Sequence, residues 1–586
     1  MNQKPPPDSE TQPAHDGVAE GDGGSRELMI RSKGAGAPLT ERVSRLFYRL
    51  AWRTPFHFTS IGGKLPPRFK AVPEDPLCGN GARGTALRMG YFLFNGIRQP
   101  FEEIGYARMP LPDAYIDYVH RFDWLRDLAS VANPAQGRKI AERLIGDWLD
   151  VHEPKVTMPA WRPDNVAWRF LNWAAYAPYI LSSRDLIYRS RVLRNISRMA
   201  RHLDRTAAKA GQGKARLTAW AGVVAASLLL PEGKGRRLVG ESELAKAISE
   251  VIYPDGGIVS RSPLGLIELI SLMTLLTACY DARQEIAPAW LGDALSRSVS
   301  ALLGLTHGDG GLGAWQGGAA LPAEQIRALV EASGVRTRPQ RQARDWGYQR
   351  VSAGHSILLL DAAPPPLARE SEIGCASTLA LEFSHGVDRI FINCGGGALI
   401  GASLPADLAR GLRTTAAHSS LCLSDTNSTA LLPGGKLGRG VNQVDLERRD
   451  QGTGARIEAS HDGYDRAFGL LHRRILQVHE SGLQLRGDDI LQPGQGKKRK
   501  GMYPFHVRFH LGPGIETEMG AEGRSAILRL ASGSLWQFRS NEHTLLLEES
   551  LWVDAEGIPR PGWQLVIEGE TGSGGASAGW ILKHMA

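Results

Sequence analysis

The sequence predicts a multidomain α + β protein, in which a helical N-terminal half is followed by an antiparallel β-sandwich. Three observations lead to this prediction: the chain has 586 residues, its apolar residues follow a helical period to about residue 330, and the period changes to two near residue 346. A chain of this length exceeds one ordinary hydrophobic core, so two large domains are expected. We place a disordered leader at 1–40, a helical domain at 41–335 and a sandwich domain at 345–586.

The helical half is identified by apolar residues that recur three to four positions apart. The runs with this pattern are 138–149, 166–176, 217–230 and 264–280. Ser262 and Pro263 predict the start of the last run, because proline suits the first turn of a helix. Successive apolar helices joined by Gly/Pro loops indicate a stacked or toroidal α-domain.

Short strand-like runs separated by turn residues fill the second half. The first alternates from Tyr348 to Asp361 and ends before three prolines. The other runs are Thr378–Phe383, Arg389–Asn393, Ser420–Leu423, Arg474–Val478, Val507–Leu511, Ala526–Leu530 and Gln564–Ile567. Many short strands with turns between them predict an antiparallel sandwich.

Composition and charge exclude several classes of protein. The hydrophobic content of 42% and the charged content of 22% are typical of a soluble globular chain. A net charge of +8 favours an anionic partner, but no RNA-binding signature supports nucleic acid, and the dense basic run Lys497–Lys500 lies in a Gly/Pro-rich loop. No uninterrupted apolar stretch is expected to span a membrane, and residues 1–27 lack the apolar segment of a secretory signal. Five scattered cysteines without a Cys-x-x-Cys pair argue against a disulfide framework.

Histidines with charged or aromatic neighbours mark three strand ends of the second half. They lie in the segments Arg413–Asp425, His461–Tyr464 and Phe505–His510, the first of which contains His418. A histidine titrates near neutrality and ligates metals, and a nearby tyrosine or arginine can complete a proton-transfer or anion-stabilising site. These clusters are therefore the candidate functional residues.

An ordered set of phrases resembles the heparinase II/III-like polysaccharide lyases. The phrases are Trp168–Trp173, Asp255–Pro263, Gly347–Arg350, Leu379–Ser384, Ile392–Gly395, Arg413–Ser419, His461–Tyr464 and Arg508–His510. The resemblance implies an (α/α) toroid and a sandwich with an acidic polysaccharide bound in the cleft between them. It also implies β-elimination: a base removes the C5 proton of a uronic acid, positive groups neutralise its carboxylate, and an acid protonates the leaving oxygen. No cofactor is required for this reaction.

Three positions depart from the pattern of that family. Where many members have an Asn, often followed by His, this chain has Lys214 and Ala215. Their catalytic tyrosine aligns with Leu264–Leu266, and a second histidine of some members aligns with Ala416. Two functions therefore stay open: a lyase that cleaves a uronate-containing anionic glycan, or a catalytically lapsed glycan-binding protein of the same fold.

For the lyase hypothesis we predict His418 and Tyr464 as catalytic residues. The predicted substrate-binding residues are Arg169, Asn172, Trp173, Lys214 and Arg508. As an alternative to a catalytic His418, zinc-binding relatives imply a structural zinc held by His418 and His461, with Asp425 as a third ligand. Each residue also has a purely structural interpretation: a histidine at a strand start, a packed tyrosine, a buried Trp beside an Arg, or an ion-paired strand face.

Two settings are consistent with these observations. The resemblance implies the cell envelope or periplasm, where such polymers occur. The residues at the start of the chain show no signal peptide, so the cytoplasm is the alternative. The sequence does not set the oligomeric state.

Overall fold

The structure is a computed structural model that describes residues 26–28 (backbone only), 68–231, 234–367, 373–397, 405–496 and 500–585. Apart from residues 26–28, the predicted leader lies outside these residues. The predicted start of the helical domain at residue 41 and most of the basic run Lys497–Lys500 also lie outside them. Within them, helices fill the first half and antiparallel strands fill the second, as the sequence predicts. The predicted fold class is confirmed.

The helical domain consists of short and long helices in sequence, with one small hairpin of β2 (Tyr91–Phe94) and β3 (Ile97–Pro100). The helices of this domain are α1 (Gly81–Arg88), α2 (Asp113–Arg121), α3 (Trp124–Val131), α4 (Pro134–His152), α5 (Pro163–Ala175), α6 (Ala177–Ile180), α7 (Leu186–Thr206), α8 (Lys214–Leu229), α9 (Lys234–Val251), α10 (Pro263–Ala282), α11 (Ala289–Leu303) and α12 (Ala323–Ser333). Helices α5, α8 and α10 are the centre of the packing, because nearly every residue of α5 and most of α8 and α10 are buried.

Local sequence explains where these helices begin. Ser262 caps α10 by accepting a hydrogen bond from the Gly265 amide at 3.2 Å, and Pro263 occupies the first turn. Before α10 the chain turns at Gly256, whose φ is +87° and where a Cβ would lie 2.2 Å from the Arg297 carbonyl oxygen. The turn therefore requires glycine.

Helix α10 also meets the length and composition of a membrane span. Its mean hydropathy is 1.6 over the best window, but 61% of that window is buried inside the protein. Glu268 lies within its first two turns, so α10 is not an uninterrupted apolar stretch and does not contradict the expectation from the sequence. The burial of α10 against other helices is typical of a core helix in a soluble domain.

The second half holds two large antiparallel sheets. The strands are β4 (Tyr348–Ala353), β5 (Ser356–Asp361), β6 (Leu381–His385), β7 (Asp388–Ile392), β8 (Leu421–Leu423), β9 (Thr429–Leu431), β10 (Leu437–Gly440), β11 (Val444–Gln451), β12 (Gly454–His461), β13 (Leu470–Val478), β14 (Gln484–Pro493), β15 (Tyr503–Leu511), β16 (Glu516–Met519), β17 (Ser525–Arg529), β18 (Leu535–Ser540), β19 (Thr544–Val553), β20 (Pro559–Thr571) and β21 (Ala576–His584). Two short helices, α13 (Ala406–Gly411) and α14 (Asp465–Phe468), interrupt them.

One sheet has nine strands in the order β1-β11-β12-β13-β14-β21-β18-β17-β16, where β1 is Arg26–Leu28. The other has the order β19-β20-β15-β7-β6-β5-β4, with β8 added beside β15, while β9 and β10 pair with each other separately. Side chains of both large sheets share one apolar core, as in a sandwich. The run predicted as one strand from Tyr348 to Asp361 is a hairpin, because Gly354 turns the chain at a φ of +52°.

Buried polar contacts join the two halves. Arg261 of the helical half donates to Asp361 of β5 at 2.7 Å, and both side chains are almost fully buried. His307 Nε2 lies 2.7 Å from Glu382 Oε2 of β6. Between Ser333, where α12 ends, and Tyr348, where β4 begins, the chain has no regular element. Our domain limits of 335 and 345 fall in this connection and stay a prediction.

Candidate functional site

The segment 413–423, here called the His418 segment, is held from several sides in the sandwich domain. The Ser419 amide donates to Asn393 Oδ1 at 3.0 Å, and the Ser419 carbonyl accepts from Arg474 Nη1 at 2.8 Å. The Leu421 carbonyl accepts the Tyr464 hydroxyl at 2.9 Å. The segment is therefore fixed by side chains from three separate parts of the sandwich.

His418 is a buried, neutral imidazole. Its Nδ1 lies 2.7 Å from the Thr414 carbonyl oxygen, which can only accept, so Nδ1 carries the proton and Nε2 carries the lone pair. Burial lowers the pKa of His418. The Thr414 carbonyl and the carboxylates of Asp361 and Glu382 raise this pKa, but by less than burial lowers it. Nε2 has no hydrogen-bond partner within the residues that the structure describes. The group has the protonation state of a general base, but only 1% of its surface is exposed.

A second histidine, His510, lies beside Ala416, the position where some members of the family have a histidine. His510 Nε2 lies 2.9 Å from the Ala416 carbonyl oxygen, and its Nδ1 lies 2.8 Å from Ser550 Oγ. Burial lowers the pKa of His510 to about 3, with the Ala416 carbonyl opposing it. An imidazole from β15 therefore lies next to Ala416, with both ring nitrogens already bonded to protein.

Tyr464 lies in the sandwich core. It is fully buried, and its hydroxyl is bonded to the Leu421 carbonyl. Burial raises the pKa of Tyr464 well above its usual range. In this conformation the hydroxyl holds the His418 segment, and a polymer on the surface does not reach it.

The three predicted residues of α5 are buried in the helical domain. Arg169 donates to the carbonyls of His120 and Ala160 at 2.9 and 2.8 Å, and its guanidinium lies 4.4 Å from the Trp148 ring centroid. Asn172 donates to Asp123 Oδ1 at 2.9 Å. Trp173 packs edge-on against Phe122 and is fully buried. The arrangement matches the structural alternative of a buried Trp with a neighbouring Arg.

Lys214 belongs to a group of charges that we call the toroid charge cluster. Its members are Asp117, Arg121, Arg162, Asp164, Lys214 and Glu268, from α2, α5, α8, α10 and the residue preceding α5. The Lys214 ammonium and Arg121 Nη1 both bind the Glu268 carboxylate, the second at 2.9 Å. Arg162 binds Asp117 at 2.6 Å and Asp164 at 2.7 Å. Three cations and three carboxylates neutralise one another.

Glu268 is the centre of this cluster. Burial pushes its pKa upward, but the charges of Lys214 and Arg121 overcome that effect and lower the pKa to about 2. The carboxylate is therefore ionised at neutral pH, and Lys214 has a permanent partner. Lys214 is 41% exposed and so remains reachable from solvent.

The remaining predicted residues either bond to other side chains of the protein or lie exposed to solvent. Arg508 binds Glu548 at 3.0 Å, so it lies on an ion-paired strand face. His461 Nε2 faces His472 Nδ1 at 3.3 Å, and its Nδ1 accepts from the Gly463 amide at 3.0 Å. Asp425 is 82% exposed.

The metal set of His418, His461 and Asp425 is not formed in the structure. Among the described residues, no three His, Cys, Asp or Glu side chains are placed as ligands of one ion. The physical reason is that both nitrogens of His461 are bonded within the core, whereas Asp425 faces solvent.

Sequence reasoning missed Asp361, a residue to which three strained residues bond. Arg261, Gln316 and Leu379 have φ values of +55°, +46° and +63°. The side chains of Arg261 and Gln316 donate to the Asp361 carboxylate, and the Leu379 amide donates to the Asp361 backbone carbonyl. Positive φ at residues other than glycine is costly and persists only where surrounding contacts enforce it. The phrase that contains Arg261 was part of the resemblance, but its distant partner has no signal in the local sequence.

Comparisons with known proteins agree with this architecture. A sequence model of the heparinase II/III-like C-terminal family matches residues 335–581. A crystal structure of heparinase III superposes with a TM-score of 0.66 at 13% identity, covering 95% of this chain and 92% of that one. The heparan sulfate lyase HepC from Pedobacter heparinus gives a TM-score of 0.57 at 15% identity, covering 93% and 87%.

A curated relative covers nearly the same length. The chain is 27% identical over 535 residues to FtsZ-localized protein C of Caulobacter vibrioides, which is 88% of this chain and 90% of the relative. The solved structures establish the shared fold, a helical toroid with a sandwich. Over residues 335–581, this chain is similar to the heparinase II/III-like family.

Proposed function

We propose that this protein is a catalytically lapsed member of the polysaccharide lyase fold, which binds an anionic glycan without cleaving it. One observation carries the proposal: the Glu268 carboxylate is ion-paired with Lys214 and Arg121. These contacts lie beside the positions that align with the catalytic asparagine and tyrosine in the family's pattern. A uronate in the cleft would have to compete with a carboxylate that is already ionised and bound.

The elimination reaction needs three groups at one place. A base must take the C5 proton, a cation or hydrogen-bond donor must stabilise the charge on the uronate carboxylate, and an acid must protonate the leaving oxygen. At the aligned positions, Leu264–Leu266 offer no transferable proton, and Ala215 offers no side-chain donor. Lys214 offers a cation, but Glu268 neutralises it.

The sandwich supplies at most one of the missing groups. The Tyr464 hydroxyl donates its hydrogen bond to the Leu421 carbonyl inside the core. His418 has a free lone pair on Nε2 but is 1% exposed. Turnover also requires an acid and a cation that is free to bind the uronate carboxylate, so a single buried base does not support it.

Binding has support that catalysis lacks. The solved relatives are named for heparin and heparan sulfate, which are anionic glycans. The chain carries a net charge of +8, and Lys214 remains accessible as the first residue of α8. These features favour an anionic polymer as ligand.

The test is a panel of heparin-like, alginate and bacterial uronate polymers, with heparinase III as a positive control. We expect calorimetry to detect binding of at least one polymer, and ultraviolet absorbance to show no conjugated C4–C5 double bond. Lys214→Ala should weaken that binding, whereas Lys246→Ala, an exposed lysine outside the cluster, should not. Appearance of the chromophore with the wild-type protein would overturn the lapse and support the lyase hypothesis.

A second function is favoured by the curated relative. Its name states localisation with FtsZ, and it aligns with most of this chain. We propose that this protein also associates with FtsZ assemblies, which places it in the cytoplasm instead of the cell envelope or periplasm. Co-sedimentation with polymerised FtsZ from the same organism tests the association. Absence from the polymer pellet, together with recovery in an envelope fraction, would contradict it.

A further inference from the structure

Three histidines lie near one another at one end of the sandwich, and none of them belongs to the His418 segment. His355 lies in the turn between β4 and β5, His385 ends β6, and His584 ends β21. The His385 ring centroid is 6.1 Å from that of His355 and 5.8 Å from that of His584. We propose that these three imidazoles form a zinc site that joins the two sheets.

The hydrogen bonds of His385 leave a lone pair available. Ser356 Oγ donates its proton to the Gly482 carbonyl at 2.6 Å, so it must accept from His385 Nδ1, which lies 2.9 Å away. Nδ1 is therefore protonated and Nε2 is not. Metal-binding histidines usually have this arrangement, with the second ring nitrogen donating to a fixed oxygen.

His584 is oriented in a comparable way. Its Nε2 lies 3.0 Å from Ser534 Oγ, which leaves Nδ1 as the candidate ligand atom. The indole of Trp536 packs against both rings, with its centroid 5.1 Å from His385 and 5.3 Å from His584. Two of the three imidazoles are thus positioned by a fully buried tryptophan.

The third imidazole must move for an ion to bind. Within the described residues no group of three ligands is already in place. A tetrahedral zinc with Zn–N bonds of about 2.1 Å places ring centroids roughly 5 Å apart, which is about 1 Å closer than found here. His355 is exposed in a turn and its imidazole makes no hydrogen bond to the described residues, so its side chain can rotate toward His385. The His385 and His584 rings, 5.8 Å apart, must also approach each other by a smaller shift. The buried histidines 418 and 461 have no such freedom.

Zinc is the ion that this donor set fits. Imidazole nitrogens suit zinc, copper and nickel, whereas magnesium and calcium require oxygen ligands. His355 and His385 belong to one sheet and His584 to the other. A bound ion would therefore link the two sheets at the ends of their strands, and it would stabilise the folded state by mass action. The proposal is independent of glycan binding.

The experiment is zinc titration of the untagged full-length protein in a Cys78→Ser background, because Cys78 is the exposed cysteine. We expect one equivalent of Zn²⁺ to bind and the melting temperature to rise, with no response to Mg²⁺. His355→Ala and His584→Gln should each weaken zinc binding by about tenfold or more. His543→Ala, at a partly buried histidine outside the group, should bind zinc as the parent does.

His355→Ala keeps the test valid if His584→Gln disturbs the strand, because His355 lies in an exposed turn. Absence of saturable binding by the parent would overturn the proposal. Equal zinc affinity of the parent and His355→Ala would also overturn it, since the ligands would then lie elsewhere.

Discussion

The sandwich and the helical domain each hold a network of charged side chains, but they bury it to different degrees. In the sandwich, Arg474 and Asp489 have no exposed side-chain surface. In the toroid charge cluster, Lys214 is 41% and Glu268 is 24% exposed. The first network can only hold structure together, whereas the second can meet a ligand.

The sandwich network is complete within the protein. Asp489 accepts from Arg474 Nε at 2.7 Å, from His472 Nε2 at 2.8 Å and from Trp580 Nε1 at 3.0 Å. Arg474 reaches on to the Ser419 carbonyl, next to His418. His418 is therefore supported by a structural core, while the more exposed charged side chains of the two networks lie in the toroid charge cluster.

The largest expected effect comes from Asp489→Asn. The substitution leaves Arg474 buried without a counter-charge, which should lower the free energy of unfolding by about 3–5 kcal/mol. Denaturant unfolding followed by circular dichroism measures it. Asp488→Asn, at the adjacent and partly exposed carboxylate, is the control and should change little. A change in Asp489→Asn no larger than in the control would remove the distinction between the two networks.

Glu268→Gln should have a smaller effect on stability and a specific effect on binding. Loss of charged hydrogen bonds to Lys214 and Arg121 should cost about 2 kcal/mol. The two freed cations should bind an anionic glycan more tightly, which calorimetry measures. Asp281→Asn, an exposed carboxylate at the end of the same helix, serves as the control. Weaker glycan binding by Glu268→Gln would show that the carboxylate itself contacts the ligand.

Tyr464→Phe should remove one hydrogen bond and nothing else. The Leu421 carbonyl loses its donor, at a cost of about 1 kcal/mol in the free energy of unfolding. Glycan affinity should not change, because the hydroxyl is buried. A change in affinity at unchanged stability would place Tyr464 at the ligand after all.

The smallest effect concerns pH. Burial raises the pKa of Asp123 to about 6, against the charges of Arg121 and Arg126 and the hydrogen bond from Asn172. Since the folded state holds this proton more tightly than the unfolded state, the stabilisation is present at low pH and is lost as pH rises through about 6.

Asp123→Asn cannot ionise, so it should gain stability relative to wild type between about pH 5 and pH 7.5. Unfolding curves at both pH values measure the difference, with Asp113→Asn at an exposed carboxylate as control. A constant difference between wild type and Asp123→Asn across this range would show that Asp123 is already ionised at the lower pH.

The architecture could be predicted because it depends on local periodicity. Residues close together in the chain determine the apolar period of α10 and its start at Ser262–Pro263. The same is true of the alternating strands. The toroid charge cluster could not be predicted in this way. Glu268 is conspicuous as a lone acid in the apolar first turns of α10, but its partners Lys214 and Arg121 are 54 and 147 residues away.

The candidate site shows the same limit. Residue type alone favoured Tyr464 and Arg169, since both side chains can serve catalysis. Their burial follows from tertiary packing: Tyr464 lies under the His418 segment, and Arg169 lies between Trp148 and the carbonyls of His120 and Ala160. A side chain's chemistry can be identified from sequence, but its accessibility depends on neighbours that are distant in the chain.

The most direct test of the proposed loss of catalysis is a search for elimination products under conditions that favour detection. Wild-type protein at equimolar concentration with the glycan that it binds is incubated overnight, and the products are analysed by mass spectrometry. We expect intact polymer without unsaturated uronate ends, while heparinase III on its own substrate gives them. Unsaturated ends that form with wild type and disappear with His418→Ala would overturn the proposed loss of catalysis and establish a working lyase.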